Sequence, residues 1–426
     1  MNHEKESLTI YTNYYYPEPA SIAMLCRDLC EGLKDEYTVT VICAVPCYTG
    51  KVEPQYLTRS YFFEEYDDIK VIRVKVPPFN KASKISRVKN IVAYFFRSIM
   101  ATFKSARADV IIAESQPPVL GGLLGVIGKV INALRGEKSR LYYVIQDYNP
   151  EQIMAVNYNK SNLILSAMMF FDKYSCRVAE KVIVVGRDMI ETMSKRFTLR
   201  NGEISKTLPN VVCINNWMDD KEVYPLPGSD PGVLAFKRRY GLEGKFVIMY
   251  SGNIGLFYDL LNLIKVIERF KEREDIIFPF VGDGVLKKQL EEYVDTHGMK
   301  NVVFIPYQDK AELAFSLNAA DVHWIVNARG IKGVSCPSKL YGILSASKPA
   351  LAVLEEGTDA RMIIESARCG YAASPQDYDG VERLIERFFN CKREELEDMG
   401  NNGYAYLKRY LTKERAIQRY KEELRG

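Results

Sequence analysis

FVIMYSGN at residues 246–253 and DIIFPFVGDG at 275–284 are two short apolar runs, each closing on glycine. Between them LLNLIKVIERFKER carries its apolar residues at helical spacing. Short Val- and Ile-rich strands alternating with helices belong to a parallel sheet covered on both faces. The pattern continues downstream through VVFIPY (302–307), DVHWIVN (321–327) and ALAVLE (350–355), with helices such as KKQLEEYVDTHG between them. Upstream the same logic holds for LTIYTN (8–13), TVTVICAV (38–45), KVIRVKV (70–76), DVIIAES (109–115), RLYYVIQD (140–147) and KVIVVG (181–186). The stretch DDKEVYPLPGSDPG (219–232), rich in Pro, Gly and Asp, reads as a linker between two α/β halves.

The sequence therefore predicts two Rossmann-like domains, residues 1–218 and 219–404, facing an interdomain cleft. A charged helix at about 405–426 is expected to cross back onto the first domain. Ligands of such sheets sit beyond the carboxyl ends of the strands, so the strand-end loops are where chemistry is sought.

Composition narrows the function. At 426 residues, 47% hydrophobic and 26% charged, the chain can bury two full cores. A net charge of +4 is too small to argue for nucleic acid. No run reaches the roughly 18 to 20 apolar residues of a membrane span, and the start, MNHEKESLTIYTN, lacks a signal-peptide pattern. A cytoplasmic location is the expectation. Nine cysteines are scattered with no CxxC pair, as reduced thiols would be. The three histidines, His3, His297 and His323, exclude a histidine-rich metal site and disfavour a histidine-based triad, so no metal is expected.

Glycines in YSGNIG (Gly252, with Asn253 beside it) and VGDG (Gly282, Asp283, Gly284) let a ligand approach the backbone, or serve as plain turns. In GVSCPSKLYGILSASKP (333–349), Ser338 is placed as a helix N-cap with Lys339 in the first turn. A cation there opposes the helix dipole. It is a solvated lysine, or it shares a strong anion with the helix N–H groups. Arg329 and Lys332 add charge just upstream, and a diphosphate suits the set better than one carboxylate. In the first half NYYYPEPAS (13–21), with Tyr16, Pro17, Glu18 and Ser21, lacks GxGxxG and reads as a stiff loop lining the cleft or as a packed aromatic loop. QDYNPE places Asp147 at a strand end and Glu151 four residues on, a carboxylate pair able to orient sugar hydroxyls or act on protons, unless Asp147 is a helix cap.

Together YYPEPAS, QDYNPE, INNWMD (214–219), YSGNIG, VGDG and PSKLYGILSASKP resemble, in order along most of the chain, the family 4 glycosyltransferases of GT-B fold. The similarity is to the bacterial exopolysaccharide and O-antigen branch, such as colanic-acid and N-acetylfucosamine transferases. The resemblance implies metal-independent, retaining transfer from a nucleotide-diphosphate sugar, with UDP the expected nucleotide, to a lipid-linked saccharide. It assigns Gly282, Asp283, Gly284, Ser338 and Lys339 to the donor, with Gly252, Asn253 and Leu340 expected beside them, while the carboxylate pair Asp147 and Glu151 is the expected catalytic pair. Tyr307 and Gln308 would line the base. The chain departs from the family where two glutamates seven residues apart are usual, since Val334 and Gly342 stand there. Leu256, Phe257 and Tyr258 replace the customary Arg/Lys pair, leaving the diphosphate charge to Lys339, Arg329 and Lys332. Gln146 and Asp147 replace a histidine.

A nucleotide-sugar epimerase of similar two-domain fold is the alternative, with His323 its only histidine candidate. A second expectation concerns a membrane. Residues 70–107 hold ten Lys or Arg and no Asp or Glu. Within them RVKNIVAYFFRSIMATFKSAR (87–107) reads as an amphipathic helix able to lie on an anionic surface. The candidate contacts are Lys81, Lys84, Arg87, Lys89, Phe95 and Phe96, and the protein is expected on the inner membrane face.

Overall fold

The computed structural model describes residues 5–18, 20–80, 83–155, 162–219 and 221–425. The first half runs β1 (Glu6–Tyr11), α1 (Ser21–Leu33), β2 (Tyr37–Ala44), β3 (Tyr61–Tyr66), β4 (Ile69–Val74), α2 (Lys84–Thr102) and β5 (Val110–Glu114). It continues with α3 (Leu120–Leu134), β6 (Arg140–Ile145), α4 (Asn149–Ala155), α5 (Asn162–Val178), β7 (Lys181–Val184), α6 (Asp188–Arg196) and β8 (Val211–Cys213). The second half opens with α7 (Pro231–Arg239), β9 (Phe246–Ser251), α8 (Leu260–Glu268), β10 (Ile276–Val281), α9 (Lys287–Thr296), β11 (Val302–Ile305) and α10 (Lys310–Asn318). It ends with β12 (Val322–Val326), α11 (Lys339–Ser345), β13 (Ala350–Val353), α12 (Asp359–Ala367), β14 (Gly370–Ala373), α13 (Tyr378–Asn390), α14 (Arg393–Tyr410) and α15 (Lys413–Leu424).

The strands form two sheets, one ordered β3-β4-β2-β1-β5-β6-β7-β8 and one β11-β10-β9-β12-β13-β14. Among the described residues the named strands pair in parallel, except β3 with β4. Leu8, Ile10, Val39, Val41, Val110 and Ile112 are fully buried, as a sheet sandwiched by helices requires. The short or edge strands β3, β8 and β14 escaped the sequence reading: YFFEEY is an antiparallel addition, and VVC and GYAA are too short to show a period.

Helix α15 lies against α1 of the first domain. Arg140 Nη1 donates to Leu424 O at 2.8 Å, and Lys181 pairs with Glu423 at 3.1 Å. Trp217 meets Tyr420 edge to face, with centroids 6.5 Å apart.

Helix α2 reverses the usual orientation of a sheet-covering helix. Its buried residues are Asn90, Tyr94, Ser98, Ala101 and Thr102, with Asn90 Nδ2 donating to Pro77 O at 2.7 Å. Ile85, Val88, Phe96 and Phe103 are left 71%, 56%, 62% and 53% exposed. Phe95 turns inward and Phe96 outward, so the two expected contacts divide between core and surface. Lys81 lies outside the described residues. Of the ten cations in this region Arg73 is interior, paired with Glu64 of β3 and donating to Tyr16 O.

Candidate active site

The floor of the site is backbone laid on backbone. Gly252 N donates to Val281 O at 2.8 Å, and Ile254 N to Asp283 O at 2.9 Å. Gly282 has φ +137°, and a Cβ there would sit 2.2 Å from Gly252 O, so only glycine fits. A Cβ on Gly252 would lie 2.6 Å from Lys339 Cε. The glycine at the end of β9 thus clears the passage through which the lysine of α11 reaches the cleft.

Lys339 Nζ donates to the Tyr250 hydroxyl and sits 3.7 Å from the Tyr250 ring centroid and 4.1 Å from that of Tyr258. Among the described residues no carboxylate pairs with it. Aromatic faces attract the cation, but burial still lowers its pKa well below the ordinary lysine value. The result is a half-buried amine that an adjacent anion would hold in its charged form.

Across the cleft stands Asp147. Burial raises its pKa above the usual carboxylate value, and a hydrogen bond from Ser335 partly offsets this. Asp147 and Ser335 form an antiparallel bridge, and Tyr148 N donates to Val334 O at 2.8 Å. Gly333 N donates to Asp188 Oδ2 at 2.8 Å. The loop before α11 is thereby bound to the first domain, which narrows the expected deep cleft to a cavity of ≈ 160 Å³. Both domains line it: Ser21, Gln146, Asp147 and Asn216 from the first, Tyr258, Asn327, Ser338 and Lys339 from the second.

Several expected residues do not converge there. Both oxygens of Glu151 are held by Arg196, at 2.6 Å each, and Arg196 also pairs with Asp172 at 2.6 Å and covers the Tyr148 ring. Glu151 is therefore part of a structural ion-pair network, not a partner of Asp147. Glu18 is buried beneath the Cys47 and Tyr48 N–H groups and fixes its loop. Tyr16 stacks under Arg27 at 4.1 Å, and Pro17 is exposed beside it. Arg329 donates to Gln376 at 3.1 Å, while the Lys332 side chain lies by Gly357, so neither reaches Lys339. Leu340 is fully buried in the second core, with its N–H on Pro337 O at 3.3 Å. Ser338 occupies the N-cap position without making a cap bond. Asp283 Oδ1 accepts from Gly284 N at 2.8 Å, which shapes the glycine loop. The Asn253 carbonyl accepts from the Tyr250 hydroxyl at 2.6 Å, behind the lysine. Tyr307 is 64% exposed near Tyr48 of the first domain, and Gln308 folds back on Pro306 O at 2.7 Å.

The family's two glutamate positions have other uses here. Val334 packs into the first domain's core. A side chain at Gly342 would meet Leu317 and Met218 at 3.3 Å. His323 is buried inside β12, with Nε2 2.8 Å from Leu317 O and its pKa pushed down to about 4 by burial. It is a core residue and offers an epimerase no acid or base in the cleft.

Sequence reasoning passed over Tyr250, Asn216 and Glu114. Glu114, at the end of β5, is fully buried, and burial pushes its pKa up to about 8. Its Oε2 has no partner, while its carboxyl contacts Gln146, whose Oε1 accepts from Asn216 Nδ2 at 2.8 Å. The only signal was a carboxylate closing an otherwise apolar strand.

Two facing Rossmann-like sheets that share a cleft at their carboxyl ends define the GT-B architecture. The chain superposes on Anabaena Alr3699/HepE, solved in complex with UDP and glucose, with a TM-score of 0.70 at 14% identity, covering 99% of this chain and 100% of that one. Residues 235–406 match the family model described as Glycosyl transferases group 1. A Pseudomonas aeruginosa protein named as glycosyltransferase WbjE is 28% identical over 316 residues, 73% of this chain and 74% of its own. WcaI of Escherichia coli K12, named for colanic acid biosynthesis, is 26% identical over 98% of this chain and 100% of its own. The chain has the GT-B fold and is a glycosyltransferase, with residues 235–406 carrying the match to the group-1 family.

Proposed function

We propose that the protein moves a sugar from a nucleotide-diphosphate sugar, with UDP the preferred nucleotide, to a lipid-linked saccharide in cell-surface polysaccharide synthesis. The observation that carries this is Lys339, a half-buried amine that no carboxylate among the described residues pairs with, facing Asp147 across a cleft built by both domains. A diphosphate beside Lys339 restores its charged form and neutralises the leaving group. The bond from the anomeric carbon to the diphosphate oxygen breaks, and its electron pair leaves with the diphosphate. The acceptor hydroxyl oxygen bonds to the same face of that carbon, and its proton passes to Asp147. Retention and the absence of a metal in this scheme follow the family resemblance. UDP is supported by the HepE complex, and polysaccharide synthesis by the name of WcaI.

Replacing Lys339 by Ala is expected to weaken UDP binding roughly ten- to hundredfold, the value of one charge-assisted contact, measured by calorimetry on folded protein. Unchanged affinity removes Lys339 from the donor site.

The lipid-linked acceptor places the protein on the inner face of a membrane as a peripheral enzyme. No helix among the described residues is long and apolar enough to cross one. The outward apolar face of α2, with Lys84, Arg87 and Lys89 on its first turns, supports surface binding. Co-sedimentation with anionic vesicles is expected at low salt, lost at high salt or on replacing Lys81, Lys84, Arg87 and Lys89 by Gln. Binding indifferent to lipid charge removes the electrostatic mechanism.

A further inference from the structure

A second hollow lies beside the cleft rather than in it. A groove of ≈ 490 Å³ runs between α4 and α5, walled by Met154, Leu165, Met169 and Phe170, with Lys173 and Arg177 at one end. Lys173 Nζ touches the Arg196 carbonyl at 2.5 Å and lies 4.9 Å from the Phe197 ring. Arg177 lies 5.3 Å from the same ring. Among the described residues no carboxylate pairs with either cation, because Glu151 and Asp172 are spent on Arg196. Burial and the neighbouring cations Arg177 and Arg196 depress the Lys173 pKa.

We infer that this groove seats the lipid of the acceptor: a long-chain lipid phosphate or diphosphate, with its anion on Lys173 and Arg177 and its chain along the apolar wall. This rests on the lipid-linked acceptor proposed above. Two observations favour a lipid. First, apolar side chains continue outward from the groove along α5, where Leu163, Ile164, Phe170 and Phe171 are 82%, 51%, 62% and 45% exposed. They adjoin the α2–α3 layer, which also presents apolar side chains, since α3 packs on both α2 and α5. A chain leaving the groove thus passes onto a surface already suited to a bilayer. Second, α4 joins groove to cleft: Gln152 lines the cleft and Met154 the groove. Two residues of helix rise only about 3 Å. Gln152 and Met154 point to opposite sides of α4, so the groove and the cleft flank one helix about 10 Å across, a width that a saccharide attached to an anion in the groove must span to meet Asp147.

The test is calorimetric titration of farnesyl diphosphate into the full chain with saturating UDP, which fills the diphosphate site at Lys339. One-to-one binding is expected to persist, with farnesol and inorganic diphosphate each binding far more weakly. Lys173→Gln/Arg177→Gln should weaken it at least tenfold while UDP affinity stays unchanged. Phe170→Asp, at an exposed position that leaves folding intact, should weaken it as well. Binding that UDP displaces, or that ignores both variants, overturns the groove. Protein that sediments with anionic vesicles yet binds no farnesyl diphosphate overturns the groove and leaves the lipid-surface reading standing. Protein that does neither overturns both.

Discussion

Replacing Asp147 by Asn is expected to lower kcat by about 10²- to 10⁴-fold, the usual contribution of a positioned acid or base, while UDP affinity stays within about twofold. The two effects separate because Asp147 belongs to the first domain and Lys339, which holds the diphosphate in the proposed mechanism, to the second. Burial raises the Asp147 pKa, so the acid limb of the kcat profile should lie above the ordinary carboxylate value. A proton acceptor must be ionised, so activity falls as pH drops through that raised pKa. In the variant this limb should vanish. Asn keeps the size of the side chain and can still accept from Ser335, so the bridge that joins the domains survives. Equal losses in kcat and in UDP binding would instead mean that Asp147 holds the domains together and does no chemistry.

Glu114→Gln should make stability less dependent on pH. In the unfolded chain this carboxyl ionises at its ordinary value of 4.5, whereas in the fold burial keeps it protonated up to about 8. Between those values the folded state binds more protons than the unfolded one, so stability falls as pH rises. The stabilising contribution is fully present below 4.5 and is lost as pH climbs through about 8. At about 1.4 kcal/mol per pH unit, the span corresponds to about 3 to 5 kcal/mol. Gln, neutral at every pH, removes this slope. The urea midpoint of the variant should therefore gain on the wild type between pH 5 and pH 8. Parallel curves for the two proteins would mean that the carboxyl is not buried in neutral form. Because Glu114 contacts Gln146 at the cleft wall, its ionisation also bears on the site.

Both predictions turn on carboxylates whose surroundings could not be read from their neighbours in sequence. Asp147 and Glu151 are four residues apart, and as a motif they form a pair. Their fates diverge because Arg196, 45 residues beyond Glu151, takes both oxygens of that carboxylate. Arg329 and Lys332 likewise looked like partners of Lys339 through proximity alone. The Glu355 carboxylate accepts the Gly330 and Lys332 N–H groups at 2.9 and 3.0 Å, and the loop they shape carries both cations away from the cleft.

What the amino-acid order determined by itself was the alternation of buried strands and helices, the break between the two halves, and the glycines that end β9 and β10. These are local: a strand buried on both faces must be apolar throughout, and a chain turning under a ligand or another backbone needs residues without a Cβ. Lys339 also stood out, because a cation in the first turn of a helix runs against the dipole. Only the tertiary structure decided which polar groups meet. It paired Asp147 with Ser335 across the domain boundary, enclosed Lys339 between Tyr250 and Tyr258, and buried Glu114 without a full set of partners. It also decided which way α2 faces. The helical period marks an apolar side but not its direction: Asn90, Tyr94 and Ser98 face inward, with Asn90 Nδ2 donating to Pro77 O, and Phe96 and Val88 are left to the outside.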